Sequence, residues 1–367
     1  MKNYIKTFCI AVLALAGFSA CGDWTEAEIK DPTDLTKTDR DEAYYQRLKE
    51  YKASDHEVSF GWFGNWTGNG AKLENCLMGL PDSVDFVSLW GNFKNISDQQ
   101  KEDLRQVQQL KGTKVLICFI IMDIGDQVTP EIPQTEVDKG TTWKEWRHKF
   151  WGWGDDLESQ LAATEKYANA ICDTIDKYNY DGFDLDAEPD YAQPFETDKE
   201  LWTSDTIMTR FVETMSKRIG PASNTGRMFV VDGQPERMPT KYADHFNYFI
   251  LQAYNSTSHS SLDYRFTQQY NAYKDKLTPE QLAKKIIVCE NFESYASNGG
   301  VTYKLPDGNS VPSLIGMAYW KPTLNGVSYR KGGVGTYHME YEYGLSGIVN
   351  TYPYLRRAIS IMNPVIK

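Results

Sequence analysis

The sequence predicts an α/β fold, a single (β/α)₈ barrel in which eight parallel strands alternate with helices. Short apolar runs rich in β-branched and aromatic residues recur along the chain, and segments of helical composition separate them. The runs number eight, which is the strand count of this barrel. An open doubly wound sheet is the alternative, but GWFGNW at 61–66 lacks the glycine pattern that follows the first strand of nucleotide-binding sheets. The expected strands are 58–62, 86–90, 115–122, 182–188, 228–232, 249–254, 286–290 and 333–339, and the expected helices include 99–110, 157–178, 207–219, 279–284 and 354–362.

Segments outside this alternation are explained by their composition. Residues 41–52 carry Ala43, Tyr44, Leu48 and Tyr51 at helical spacing, which predicts a helix before the first strand. The connections 123–156 and 255–263 are longer than a barrel requires. Because they follow the third and sixth strands, we expect them at the C-terminal face, where barrels bind their ligands.

The composition limits the class of protein. The chain has 367 residues, 39 Lys+Arg against 50 Asp+Glu and a net charge of -11. This acidic balance, with no basic stretch in the sequence, argues against nucleic acid as a partner. Hydrophobic residues make up 41% and charged residues 24%, as in folded globular proteins. The aromatic content of 13% is high, and amphipathic rings often lie at ligand surfaces.

The first residues predict export and a lipid anchor. Lys2 and Lys6 precede a short apolar run at 10–16, which is too short to span a bilayer. Small residues then lead to Cys21, and the segment resembles a bacterial lipoprotein signal. The resemblance implies that 1–20 is removed and that Cys21 is acylated; cleavage of an ordinary signal near Ala20 is the alternative.

The remaining N-terminal residues predict a tether. We assign 21–52 to a tether with an N-terminal helix and 53–367 to the barrel domain. The acidic run Asp23, Glu26 and Glu28 resembles the export signals of surface lipoproteins in some Gram-negative bacteria. This resemblance implies an outer-membrane protein that faces the cell surface.

The four other cysteines predict buried thiols. Cys76, Cys118, Cys172 and Cys289 show no CxxC spacing and no histidine at metal-ligand spacing. We therefore expect neither a disulfide nor a zinc site.

Carboxylates cluster at the end of the fourth expected strand. Alternate strand residues share a face, so Asp184, Asp186 and Glu188 should converge inside the barrel mouth, with Glu188 at the lip. Three such charges cannot all ionise freely, so at least one pKa must rise, as general acid catalysis requires. A structural network is disfavoured because burying carboxylates costs stability. A divalent-metal site is the second alternative, but no further carboxylate is placed to complete it, and we expect no metal or cofactor.

DGFDLDAE at 181–188 resembles the DxxDxDxE signature of glycoside hydrolase family 18. The resemblance implies a retaining, substrate-assisted glycosidase in which Glu188 protonates the glycosidic oxygen. Asp186 would orient the 2-acetamido group of the sugar, and Asp184 would share a proton with Asp186. We assign Asp181, the first acidic position, to substrate binding.

The sixth expected strand carries a second similarity. It ends in QAYN, which is similar to a pattern of this family whose tyrosine holds the acetamido oxygen. The resemblance implies a catalytic role for Tyr254 and substrate contacts for Gln252 and Asn255.

Two departures from the family pattern narrow the function. CFII at 118–121 replaces the SxGG pattern of its chitinases, and 333–341 lacks their tryptophan. These departures favour the endo-β-N-acetylglucosaminidase branch, which cleaves the core of N-glycans, over a chitinase. A non-catalytic surface glycan-binding lipoprotein is the other alternative. The run 331–341 is similar to lipoproteins of bacterial glycan-utilisation systems. This similarity implies two kinds of partner: N-acetylglucosamine-containing glycans or glycoproteins, and other surface glycan-uptake proteins.

Further residues are candidates for contact with sugar. Asp232 and Glu290 end their strands and are placed to hold sugar hydroxyls, whereas His148 is expected in solvent on a helix. The remaining substrate-binding candidates are Trp62, Trp90, Trp151, Trp153, Tyr337, His338 and Glu340.

Overall fold

Eight parallel strands close into a barrel, and each strand pairs with its neighbours in the sequence until the last meets the first. The computed structural model describes residues 40–191 and 197–364. The expected (β/α)₈ barrel is confirmed. Its strands are β1 (Val58–Phe63), β2 (Phe86–Trp90), β3 (Lys114–Ile120), β4 (Gly182–Ala187), β5 (Met228–Gly233), β6 (Phe249–Leu251), β7 (Ile286–Asn291) and β8 (Gly333–Tyr337).

Helices surround the barrel, and several begin at side-chain caps. Ser97 and Gln100 form a reciprocal capping box at α2, and Asp156 caps the 22-residue α5. The helices are α1 (Glu42–Ala53), α2 (Asp98–Gln106), α3 (Gln134–Val137), α4 (Trp143–Trp151), α5 (Leu157–Tyr178), α6 (Asp205–Ser216), α7 (His259–Tyr273), α8 (Pro279–Ala283), α9 (Phe292–Tyr295), α10 (Ser313–Tyr319) and α11 (Pro353–Met362).

Four strands end earlier than the sequence predicts: β3 by two residues, β4 by one, β6 by three and β8 by two. The Ala253 amide donates to the Leu251 carbonyl at 2.7 Å, and this tight turn ends β6 before Gln252. β8 ends at Tyr337 because His338 adopts a left-handed conformation with φ 53°. The side chains that were expected on these strands therefore lie in the turns that follow them.

Other differences lie in the connections. Helix α7 begins inside the expected loop 255–263, and α10 lies between β7 and β8 without a counterpart in the prediction. Two small antiparallel hairpins accompany α10, one pairing Thr302–Lys304 with Ser310–Pro312 and one pairing Thr323–Leu324 with Val327–Ser328.

The strands separate two apolar regions. Phe183, Leu185 and Ala187 face outward and join the core beneath the helices, as the strand periodicity predicts. Phe60 and Trp62 face inward and belong to a smaller cluster that fills the barrel. Because the barrel interior is packed at this level, the polar side chains at the strand ends lie above an apolar floor.

The predicted export segment lies outside the described residues, including 1–20, Cys21 and the tether up to residue 39. Within the described ranges, each helix is too short or too polar to cross a bilayer. Cys76, Cys118, Cys172 and Cys289 are free and buried, which confirms the expectation for these thiols.

Candidate active site

The acidic residues of β4 occupy two environments. Asp184 and Asp186 are 0% and 2% exposed inside the barrel. Glu188 follows the last strand residue and is only partly buried, with Pro189 directly after it. The alternation of strand side chains thus places Glu188 at the lip, above Asp186 and Asp184. The expected convergence of these three side chains at the C-terminal mouth agrees with the structure.

A third aspartate joins the buried pair. Asp232 of β5 is 1% exposed, and the strand register places it beside Asp186. Gln252 Nε2 donates to Asp232 Oδ1 at 3.1 Å, and the Cys118 thiol donates to Oδ2 at 3.7 Å. The expectation that Asp232 holds sugar hydroxyls is wrong, because this carboxyl is buried within the barrel.

Burial keeps these carboxyl groups protonated to higher pH than usual. It raises the pKa of Asp184 to about 6. Burial and the negative charge of Glu188 raise the pKa of Asp186 well above its usual range. Burial, followed by the charges of Asp186 and Asp184, raises the pKa of Asp232 in the same way. The predicted rise in pKa is therefore present.

Proton sharing among the three aspartates can satisfy part of their buried oxygens. Both oxygens of Asp184 and Oδ1 of Asp186 are buried, and the side chains of Ser88, Cys118 and Trp62 lie near enough to donate to Asp184. Buried polar atoms normally have partners, and a protonated carboxyl is a donor. A proton on one aspartate can therefore be donated to the next, so Asp184, Asp186 and Asp232 titrate as one network.

The same network is a poor metal site. Cys118 Sγ and carboxylate oxygens of Asp184 and Asp232 lie within 4.8 Å of one another. Burial raises the pKa of the Cys118 thiol well above its usual range, and a thiol binds metal as the thiolate. Hard cations such as Mg²⁺ and Ca²⁺ prefer oxygen ligands, so two carboxyls beside a protonated thiol do not suit them.

Aromatic side chains line the mouth around Tyr337. Its ring centre lies 6.1 Å from that of Trp62, 5.9 Å from that of Trp90 and 6.1 Å from that of Tyr254. Burial raises the pKa of the Tyr254 hydroxyl well above its usual range, so this group remains a hydrogen-bond donor. Although β6 ends before it, Tyr254 therefore still reaches the mouth.

His338 and Glu340 bond to each other in the turn after β8. His338 Nδ1 lies 2.7 Å from Glu340 Oε1, and the Gly64 amide donates to Glu340 Oε2 at 3.0 Å. The His338 ring also stacks on Tyr341. Both oxygens of Glu340 are thus engaged within the protein, joining the turns after β1 and β8. The predicted contact of Glu340 with substrate is not supported.

Two predicted substrate contacts lie elsewhere in the fold. Asp181 precedes β4 at the opposite end of the barrel, where Oδ2 accepts bonds from the Val115 amide at 2.9 Å and Gln108 Nε2 at 2.8 Å. Seven residues of extended chain separate it from Glu188 by roughly 23 Å. Trp151 is 4% exposed in the core beside Tyr167. Neither residue faces the mouth, so both assignments are wrong.

Trp153 and Asn255 keep surface positions. Trp153 is partly buried against the core and next to His148. Asn255 is exposed in a left-handed turn with φ 58°, and its amide donates to Glu290 Oε1 at 3.1 Å. Their predicted contacts with substrate, like that of Trp90, remain predictions.

Glu290 supports this turn from outside the barrel. It is fully buried, and its carboxylate also accepts bonds from the Asn291 amide and the Ser313 hydroxyl. The prediction that Glu290 holds sugar hydroxyls is wrong. One of its partners, Ser313, begins α10, whose position the sequence did not reveal.

An ion-pair cluster fixes the rim and was not anticipated. Arg147 Nη2 lies 3.5 Å from Asp123 Oδ2, and Arg147 Nη1 lies 3.4 Å from Glu200 Oε2. His148 Nε2 lies 2.5 Å from Glu200 Oε1, so the expectation of a solvated His148 is wrong. The cluster ties the connection after β3 to the segment that leads into α6.

A closed parallel barrel with a partly exposed glutamate above buried aspartates has the architecture of a barrel glycosidase. The chain belongs to glycoside hydrolase family 18: the family model described as BT1044-like matches residues 25–361. The resemblance noted in the sequence is thereby confirmed.

Individual relatives agree with this assignment. Endo-beta-N-acetylglucosaminidase F2 of Elizabethkingia meningoseptica is 27% identical over 341 residues, which cover 86% of this chain and 85% of that protein. The structure of a selenomethionine glutamate-to-glutamine variant of BT1044 is 34% identical with a TM-score of 0.69, covering 90% of this chain and 97% of the other. An endo-beta-N-acetylglucosaminidase from Cordyceps militaris is 20% identical with a TM-score of 0.59, covering 89% and 98% of the two chains, and shares the fold.

Proposed function

We propose that the protein is a retaining, substrate-assisted endo-β-N-acetylglucosaminidase that hydrolyses GlcNAc-β-1,4-GlcNAc linkages in the core of N-glycans. The observation that carries the proposal is the arrangement on β4, with Glu188 at the open lip and buried aspartates that share protons beneath it. Family membership and the relative named endo-beta-N-acetylglucosaminidase F2 support the same reaction.

The first step uses Glu188 as the general acid. Its carboxyl gives a proton to the glycosidic oxygen while the bond from that oxygen to the anomeric carbon breaks. The carbonyl oxygen of the substrate's own 2-acetamido group forms the new bond to the anomeric carbon, giving an oxazolinium ion. The protein supplies no nucleophile, so the sugar on the cleaved side must carry an N-acetyl group.

Asp186 positions the acetamido group and stabilises its positive charge. To act as an anion it must pass its proton to a neighbour, and Asp232 lies beside it in the strand register. Asp184 and Asp232 can hold that proton because burial favours their neutral forms. A buried acceptor for this proton removes the need for solvent beneath the sugar.

Tyr254 and Glu188 complete the cycle. The Tyr254 hydroxyl donates a hydrogen bond to the acetamido oxygen as this oxygen approaches the anomeric carbon. Water then attacks the anomeric carbon from the side that the leaving group vacated, while the bond from this carbon to the acetamido oxygen breaks. One proton of the water returns to Glu188, and the acetamido group is regenerated. The two displacements retain the anomeric configuration.

The direct test is mass spectrometry of native N-glycoproteins after incubation with wild type and with Glu188→Gln. We expect glycan release that leaves one N-acetylglucosamine on asparagine, and no release by the variant. Glycan binding by both proteins without release would instead indicate a surface glycan-binding protein. Release from chitin oligomers alone would indicate a chitinase.

We also propose that Cys21 carries lipid and anchors the protein at the outer membrane, facing the cell surface. The support is the sequence alone: a short apolar segment with small residues before Cys21, followed by acidic residues. Labelling of cells with a radioactive fatty acid should mark the wild type and leave Cys21→Ser unlabelled. Equal labelling of both proteins would contradict the anchor.

A further inference from the structure

A cavity of about 430 Å³ lies beside the mouth, on the side of Tyr254. One wall is the turn 254–257, and the other is a single face of α7. The helix residues recur at intervals of three and four, which places them in one stripe. They are Ser261, Tyr264, Arg265 and Gln268.

The lining suits a hydrated, hydroxyl-rich ligand. The turn contributes Asn255, Ser256 and Thr257, and the helix contributes a hydroxyl, an amide and an aromatic ring. Tyr264 is 66% exposed, so its ring is free to pack against a ligand. Hydroxyl and amide groups beside an exposed tyrosine can bond sugar hydroxyls while the ring packs on the sugar.

The electrostatic character of this cavity differs from that of the whole chain. The protein has 50 Asp+Glu against 39 Lys+Arg, yet no carboxylate lines the cavity and one arginine does. Among the described residues, none forms an ion pair or a hydrogen bond with Arg265. The nearby Asp263 is turned away, because its Oδ1 accepts bonds from Trp320 Nε1 and the Thr323 amide, each at 2.9 Å.

The walls are held in place without a ligand. The Asn255 amide bonds to Glu290 beneath the turn, and the Lys304 amide donates to the Thr257 carbonyl at 2.8 Å. On the helix, Gln268 Nε2 donates to the Tyr264 hydroxyl at 3.2 Å. A preformed cavity binds its ligand with a smaller entropic cost than a loop that must first become ordered.

We propose that this cavity binds an acidic sugar, a monosaccharide that carries a carboxylate, with Arg265 bonding the carboxylate. The planar guanidinium fits a carboxylate through two parallel hydrogen bonds, which a lysine cannot reproduce. Tyr254 and Asn255 connect the cavity to the mouth, so the acidic sugar would end a branch of the glycan whose core is cleaved. The inference deepens the proposed function and, in its link to cleavage, rests on it.

The test is binding of sialyllactose, with lactose as the uncharged counterpart, to wild type, Arg265→Gln, Arg265→Lys and Tyr264→Ala, followed by NMR. The control is Arg357→Gln, which removes the same charge from an exposed position on α11. Wild type should bind sialyllactose at least tenfold more tightly than lactose, as one charge-assisted bidentate contact predicts. Arg265→Gln should lose this preference, and Arg265→Lys should keep part of it. Tyr264→Ala should lower the affinity for both sugars, and the control should bind both sugars as wild type does.

Equal affinity of wild type for the two sugars, or an unchanged preference in Arg265→Gln, would overturn the proposal. Sialyllactose contains no cleavable N-acetylglucosamine linkage, so this result does not depend on hydrolysis. Cleavage of N-glycoproteins before and after removal of sialic acid gives the second readout. Removal of sialic acid from the glycoprotein should lower kcat/KM for wild type and should leave kcat/KM for Arg265→Gln unchanged. Preferential binding of sialyllactose, without cleavage of any N-glycoprotein, would refute the proposed hydrolase activity and would still support an acidic-sugar site in the cavity.

Discussion

Substitution of Asp184 by asparagine should flatten the dependence of stability on pH. Burial raises the pKa of Asp184 from 3.8 to about 6, so the native state holds a proton that the unfolded chain releases above about pH 4. Since the native state then binds more protons, the free energy of unfolding falls as pH rises from about 4 to 6. The difference of about two pKa units corresponds to about 3 kcal/mol.

Asparagine is neutral at every pH and removes this contribution. We expect urea unfolding of wild type to show a midpoint that falls between pH 4 and 6. Asp184→Asn should show a loss smaller by about 2 kcal/mol over this interval, because the rest of the difference lies below pH 4 and above pH 6. Asp155→Asn, at an exposed position, serves as the matched control and should follow wild type. Parallel curves for wild type and Asp184→Asn would refute the claim that this carboxyl is protonated in the folded protein.

Four other substitutions, at three residues, separate catalytic from structural roles. Asp232→Asn keeps a hydrogen-bond acceptor for Gln252 but cannot take the proton of Asp186, so Asp232→Asn and Asp232→Leu should both lower kcat by roughly a hundredfold or more. A loss of less than roughly tenfold in Asp232→Asn alone would show that Asp232 acts through its hydrogen bonds and not as a proton acceptor. Asp181→Ala should lower stability by about 1–3 kcal/mol in thermal unfolding, because the Val115 amide loses its partner, and should leave kcat unchanged. Trp151→Ala should lower the free energy of unfolding by about 3–5 kcal/mol, and glycan binding should be unchanged when it is measured under conditions in which the variant is folded. Loss of glycan binding by the folded variant would instead indicate that Trp151 contacts the sugar.

Features of the site that depend on one strand could be predicted from the sequence, whereas features that depend on the pairing of two strands could not. Alternation alone placed Asp184, Asp186 and Glu188 inside the barrel, because a strand has a fixed period of two. The partnership of Asp232 with Asp186 depends on the register of β4 against β5, which no local pattern contains. The sequence therefore indicated the acid and the raised pKa values but not the third member of the network.

Turns and connections explain the remaining errors. β6 and β8 end where the chain turns sharply at Ala253 and His338, and alternating composition does not reveal such turns. Trp151 follows the same aromatic pattern as a surface ring, and only the packing of α4 against α5 buries it. Asp181 matches the first acidic position of the family motif. Its side chain, however, forms hydrogen bonds at the end of the barrel opposite the mouth, and the motif alone does not show this.

The cluster around Arg147 has a thermodynamic consequence for ligand capture. Its ion pairs with Asp123 and Glu200 hold two connections of the rim together before any glycan arrives. The conformational entropy of this part of the rim is therefore lost during folding and not during association. Binding of a ligand that contacts Asp123, Arg147 or Glu200 should show a calorimetric entropy change with little contribution from the ordering of these residues.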